Sequence, residues 1–330
     1  MKREKKMMKS KTLMPALALV LALGVAACGG DDESSASGGG GGGGGGDLSG
    51  KIAIDGSSKV APFTQAAAEL FNEENPDVQI TVGTSGTGGG FEKFCAGETD
   101  ISDASRPIKD DEEVPVCDKN SVKYGEVQIA NDGIAVVTNN SMKVDCLTTD
   151  QLKQLWNKGS KVTKLSEIDP SFPDTELSLY GPGTDSGTFD FFTDQINGEE
   201  GVSREDYEAS EDDNQLVTGV SGDEGGFGYF GFSYYEAAAD SLNLVGVDSG
   251  DGNCVKPSVE TIQDGSYKPL SRPLFVYPKA DAVTRPEVKA FLDYTVENAA
   301  AIAEAAKIVP LTEEQVGTAK EELATAESGS

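Results

Sequence analysis

The sequence contains no histidine. Without an imidazole the Ser-His and Cys-His nucleophile pairs are unavailable, and so is the commonest metal ligand of hydrolases. No CxxC spacing is present either, which argues against zinc. Positive charge is scarce: 27 Lys and Arg face 56 Asp and Glu, for a net charge of −29. Nucleic acid and anionic lipid are therefore poor partners. Any anion site must also be local, because exposed charges more than ~8 Å apart are largely screened at physiological salt. Long apolar runs are missing: the stretch from Leu13 to Ala27 falls short of the ~20 residues that a spanning helix needs. There is no GxxxxGK[ST] loop and no basic, aromatic-interleaved patch.

What is present begins with a basic patch (Lys2, Arg3, Lys5, Lys6, Lys9, Lys11) ahead of that apolar stretch, then Val25-Ala26-Ala27-Cys28. This reads as a secretory signal over residues 1–27 that ends in a lipobox, with Cys28 as the lipidated first residue. The expected location is the outer face of the cell membrane, reached by export and held by lipid. Removing the segment's six basic residues and one acidic residue would take the charge from −29 to −34. Residues 28–47 are mostly Gly, Ser, Asp and Glu and read as a flexible tether. The rest of the chain is long enough for two lobes with separate cores.

Four further cysteines remain: Cys95, Cys117, Cys146 and Cys254. An even number in an exported chain predicts two disulfides, with three pairings open. Cys95–Cys117 and Cys146–Cys254 are favoured, since each pair then stays within one of the lobes expected below.

Period and punctuation predict strands alternating with helices, hence parallel-rich sheets of βα units. Strands are expected at Lys51–Asp55, Val78–Val82, Thr99–Ser102, Ile129–Thr138, Glu176–Tyr180 and Leu274–Tyr277. Helices are expected from Pro62 to Glu74, through Phe91 and Phe94, from Thr149 (as cap) to Asn157, from Phe189 to Ile196, from Arg285 to Lys307, and from Thr312 to Ala324. The expected lobes are 48–137 plus 276–330 and 138–275, with crossings near Val137–Asn139 and Arg272–Val276. Gly226-Phe227-Gly228-Tyr229-Phe230-Gly231 fits GxGxxG, but its interleaved aromatics predict a strand rather than a helix start.

Three times a strand runs through a Gly, Ser and Thr loop into a helix: Gly56-Ser57-Ser58-Lys59-Val60, Ser85-Gly86-Thr87-Gly88 and Asp185-Ser186-Gly187-Thr188. Amides at a helix start lack internal partners, the helix dipole is positive there, and hydroxyls add donors. Such loops at the carboxyl ends of parallel strands hold anions with little formal charge. Arg106, directly after a strand, offers a bidentate fork. A protonated oxyanion also needs an acceptor. Asp55, Asp185 and the Glu211-Asp212-Asp213-Asn214 run are candidates, since a buried carboxylate would accept from phosphate and repel sulfate.

At these residues the chain resembles the phosphate-binding protein of phosphate ABC importers. The resemblance runs from about Lys51 to Leu311 through Ile54-Asp55-Gly56-Ser57-Ser58, Ser85-Gly86-Thr87-Gly88-Gly89-Gly90-Phe91, Ala104-Ser105-Arg106-Pro107-Ile108, Gly183-Thr184-Asp185-Ser186-Gly187-Thr188-Phe189 and Glu211-Asp212-Asp213-Asn214. It implies a two-lobed periplasmic-binding-protein type II fold with flanking helices and a hinge. It further implies no catalysis, no cofactor, a monomer, and delivery of inorganic phosphate to membrane permease subunits. Ligand roles carry over to Ser57, Ser58 and the following helix start (Lys59, Val60), to Thr87, and to Ser186, Gly187 and Thr188. The best-known members have an aspartate where this chain reads Ala104-Ser105-Arg106 and an arginine where it has Pro182. The expectation is therefore a positive charge moved to Arg106 and a proton-accepting carboxylate moved to Asp185 or Asp213. A receptor for sulfate or molybdate is the alternative, and an adhesin or hydrolase on the same scaffold is a more distant one.

Overall fold

The computed structural model describes residues 48–328; the signal segment, Cys28 and the whole Gly-rich tether lie outside them. Among the described residues no helix is long and apolar enough to cross a membrane.

The first half of the chain builds β1 (Gly50–Gly56), β2 (Val78–Val82), β3 (Ile101–Ala104) and β4 (Val127–Asn139). The second supplies β5 (Cys146–Thr148), β6 (Ser178–Gly181), β7 (Glu208–Ala209), β8 (Gly226–Gly231), β9 (Leu242–Asp248) and β10 (Cys254–Val255), and β11 (Ser271–Pro278) returns to the first. β1 pairs in parallel with β2 and β3, as βα units require, and β11 closes this part by running antiparallel between β3 and β4. β6 is parallel to β8 and β7, and β5 to β9.

β4 links the two parts. Up to Gly133 it pairs with β11, and from Ile134 to Asn139 it pairs with β8 and β9. Ile134 N–H also donates to Leu270 O at 2.9 Å, so both connections lie side by side. The change of partner comes at Gly133–Ile134, ahead of the Val137–Asn139 segment read from the sequence as a crossing.

Two apolar cores match the two parts. Ile52, Ile54, Phe63, Phe71, Ile129, Leu274 and Phe291 fill the first, and Val136, Leu155, Trp156, Phe192, Phe227 and Tyr229 the second. The aromatics of Gly226–Gly231 are thus core residues of a strand, as their spacing predicts. The disulfides are Cys95–Cys117 and Cys146–Cys254.

The helices that follow these strands include α1 (Ala61–Glu74), α2 (Gly86–Cys95), α3 (Val114–Lys119), α4 (Thr149–Trp156), α5 (Gly187–Phe192) and α6 (Asp213–Gly222). α4 is capped by Thr148 rather than Thr149, through a reciprocal pair of bonds with Gln151. The expected long helix from Arg285 is instead two, Pro286–Glu297 and Ala299–Ala305. The break falls at Asn298, whose side-chain amide donates to Tyr294 O at 2.8 Å and so satisfies a carbonyl at the helix end. The capping box expected at Thr312 and Gln315 is formed.

Candidate functional site

The three loops converge. A cavity of about 460 Å³ is lined by Ser57, Ser58, Ser85, Thr87, Ser105 and Arg106 from the first part, and by Gly187, Asp190, Phe191, Asp194, Gln195 and Glu200 from the second, with Arg272 and Pro273 from β11. Each loop is fixed by its own bonds. Ser57 N–H donates to Asp103 O at 2.9 Å, while Ser57 O accepts the N–H groups of Val60 and Ala61, which turns the chain into α1. Ser85 donates through its amide (3.0 Å) and hydroxyl (2.5 Å) to Asp55 Oδ1. Thr87 Oγ1 lies 3.0 Å from Ser105 Oγ and accepts Ser105 N–H. Ser186 Oγ caps α5 by accepting Thr188 N–H.

Loops one and three touch. A Cβ on Gly187 would lie 2.9 Å from Ser58 Oγ and 3.1 Å from Lys59 N, so only a residue without a side chain lets the two helix starts meet this closely.

The sequence-derived candidates separate into two groups. Ser57, Ser58, Ser85, Thr87, Arg106 and Gly187 line the main cavity. Lys59, Asp185, Ser186, Thr188 and Asp213 line a neighbouring pocket of about 250 Å³, which shares Ser58 and Gly187 with it. Val60 lines neither: its side chain is buried and its N–H is taken by Ser57 O.

Arg106 does not present a free fork. Its Nη1 donates to Glu113 Oε2 (2.9 Å) and Pro107 O (3.0 Å), and Nη2 donates to Glu113 Oε1 (2.7 Å). Asp55 is equally committed: burial would raise its carboxyl, but the bonds from Lys93 and Ser85 outweigh that and hold it below the usual value.

The sequence reading missed the cation nearest the seam. Arg272, on β11, donates through Nε to Asp132 Oδ2 (3.2 Å) and through Nη2 to Gly187 O (3.0 Å), with its guanidinium 4.0 Å over the Phe191 ring. Lys59 Nζ occupies the other oxygen of Asp132 at 3.0 Å. Burial alone would raise Asp132, yet the two cations hold it below the ordinary carboxylate value. The sequence signals were there: a lone charged residue at the start of a mostly apolar strand, and Asn131-Asp132 interrupting a buried run. Buried charges require partners.

Three other carboxyls close to the loops are raised. Asp190, on the cavity wall, reaches about 6 through burial and then Glu200, with Arg272 opposing. Asp213 reaches about 6, mainly by burial, against the pull of Lys59. Asp103, fully buried beneath loop one, reaches about 7 by burial, opposed by its bond from Thr64. Among the described residues no group of His, Cys, Asp and Glu is placed to hold a metal ion.

Two α/β halves joined through adjacent strands, with loops from both halves meeting at one cavity, define the architecture of a solute-binding protein. The family model of the PBP superfamily domain matches residues 41–299. The phosphate-binding protein PstS of Staphylococcus saprophyticus is 43% identical over 69% of this chain and 70% of its own length. A crystal structure of a possible phosphate binding protein from Planctomyces limnophilus is similar over 85% of this chain and 99% of its own, with 42% identity and a TM-score of 0.79. A Clostridium perfringens structure, provisionally named a phosphate ABC transporter substrate-binding protein and solved with bound phosphate, covers 80% of this chain and 100% of its own at 28% identity and a TM-score of 0.57. The chain belongs to the PBP superfamily and, within it, to the family of the phosphate-binding proteins PstS.

Proposed function

We propose that this protein captures inorganic phosphate in the cavity between its two halves and delivers it to the permease of an ABC importer. It works as a monomer tethered by lipid on Cys28 to the outer face of the cell membrane. The observation that carries this reading is the meeting of loops one, two and three on one cavity, where loop amides and hydroxyls, themselves uncharged, stand beside the Arg272 guanidinium. Ser57, Ser58 and Thr87 contribute from one half and Gly187 from the other, while Ser85, whose amide and hydroxyl both donate to Asp55, shapes loop two. Strands β4 and β11 are the hinge, with the lobes divided near Gly133–Ile134 and Leu270–Ser271.

The acceptor for the phosphate proton in this reading is Asp190. It stands on the cavity wall, whereas Asp185 and Asp213 face the neighbouring pocket. Its value near 6 leaves it mostly ionised at neutral pH. Sulfate carries no proton at that pH and would leave this carboxylate facing an acceptor. Calorimetric titration of ligand-stripped protein with phosphate, sulfate and molybdate tests the reading. Saturable binding of one phosphate, with sulfate weaker by ~100-fold or more, a gap of about 2.7 kcal/mol, is expected. Equal affinity for sulfate would overturn it.

A further inference from the structure

This inference rests on the reading that the cavity takes phosphate. Of the cations near the cavity, two are occupied elsewhere. Arg106 spends both terminal nitrogens on Glu113, one of them also on Pro107 O, and Lys59 directs its ammonium to Asp132 and lines the neighbouring pocket. Arg272 differs. It lines the cavity itself, two of its nitrogens are fixed by Asp132 and Gly187 O, and Nη1 makes no hydrogen bond among the described residues.

We propose that Arg272 supplies the positive charge to the bound oxyanion through Nη1, while its other nitrogens tie the returning strand to the opposite half. The arrangement is preorganised: Asp132 fixes one edge of the guanidinium, Phe191 covers one face at 4.0 Å, and the Gly187 carbonyl belongs to the loop whose helix start meets the ligand. A guanidinium held this way loses little side-chain freedom on binding an oxyanion. It also places ligand charge and loop three under one side chain, so a ligand that satisfies Nη1 strengthens the closed arrangement.

The test is calorimetric titration of inorganic phosphate into Arg272→Gln, Arg272→Lys and Arg106→Gln, with folding checked by circular dichroism. Arg272→Gln is expected to weaken phosphate binding at least tenfold. Arg272→Lys should recover part of that loss, because one ammonium keeps the charge but cannot serve Asp132, Gly187 O and an anion together. Arg106→Gln should weaken binding less than Arg272→Gln does, because Glu113 already holds the Arg106 fork. A folded Arg272→Gln that binds within threefold, or a larger loss in Arg106→Gln, overturns the inference while leaving phosphate binding intact. No phosphate binding by the unaltered protein brings down the underlying reading and this inference with it. A crystal structure of the unaltered protein grown with phosphate is the second measurement, independent of variant folding. It should place a phosphate oxygen in hydrogen-bond reach of Arg272 Nη1, and a phosphate bound elsewhere refutes the proposal.

Discussion

Replacing Asp103 with asparagine should change how stability depends on pH. Asp103 sits on β3 directly beneath loop one: its carbonyl accepts Ser57 N–H at 2.9 Å and its Oδ2 accepts Thr64 Oγ1 at 2.8 Å, while Oδ1 has no partner. Burial is the main reason its carboxyl rises from 3.8 to about 7. The folded protein therefore holds this proton more tightly than the unfolded chain does. Stability from the group is fully present below pH 3.8 and is lost as pH climbs through 7. A shift of about three units is worth about 4 kcal/mol in all, of which about 2.5 kcal/mol falls between pH 5 and pH 8. Asparagine keeps the shape and an acceptor for Thr64 but does not titrate.

The assay is urea unfolding of both proteins at pH 5 and pH 8 at matched ionic strength. The unaltered protein should lose about 2.5 kcal/mol relative to Asp103→Asn over that range. Asp190 and Asp213 titrate in both proteins and cancel in the comparison. Parallel stability curves, with a difference constant to within about 0.5 kcal/mol, would show that the carboxyl is not held neutral by burial and refute the reasoning.

Two other perturbations follow from the geometry. Replacing Cys146 and Cys254 by alanine opens a bridge spanning 108 positions; loop entropy puts the loss at about 4–5 kcal/mol, read by denaturant midpoint, and a loss under about 1 kcal/mol would mean that the unfolded chain is already compact there. Gly56→Ala places a methyl 2.0 Å from Asp103 O at a φ of +149°, so it should lower stability by about 1–3 kcal/mol and weaken phosphate binding by displacing Ser57; unchanged stability and affinity would contradict the packing described here.

The loops were legible because local signals agree: a β-rich run, then Gly with Ser or Thr, then helical spacing. The disulfide pairing followed from the lobes, once these were expected to be discontinuous in sequence. Arg272 and Asp132 were not found, because their meaning is long-range. They are 140 residues apart and Gly187 is 85 residues from Arg272, so no window contains the contact. Arg106 misled for the converse reason: its position after a strand is right for the cavity, but Glu113, seven residues on, takes the fork. Asn298 ended a helix that residue spacing alone would continue, because its side chain competes for a backbone carbonyl.

At a net charge of −29, the proposed capture of an anion cannot rely on the protein's overall field, which favours cations. The cavity wall combines two kinds of group: amides, hydroxyls and the Arg272 guanidinium, which donate, and the half-buried Asp190, which as a carboxylate only accepts. A ligand that only accepts satisfies the donors and leaves the Asp190 carboxylate unpaired in a partly buried space. A ligand that carries both bare oxygens and an O–H satisfies both. Hydrogen phosphate and dihydrogen phosphate are of that kind at neutral pH, and sulfate is not. The acidity that makes the surface a poor anion collector is, inside the cavity, the feature that favours a protonated oxyanion. The distinction holds because partly buried groups on the cavity wall are screened far less than exposed ones.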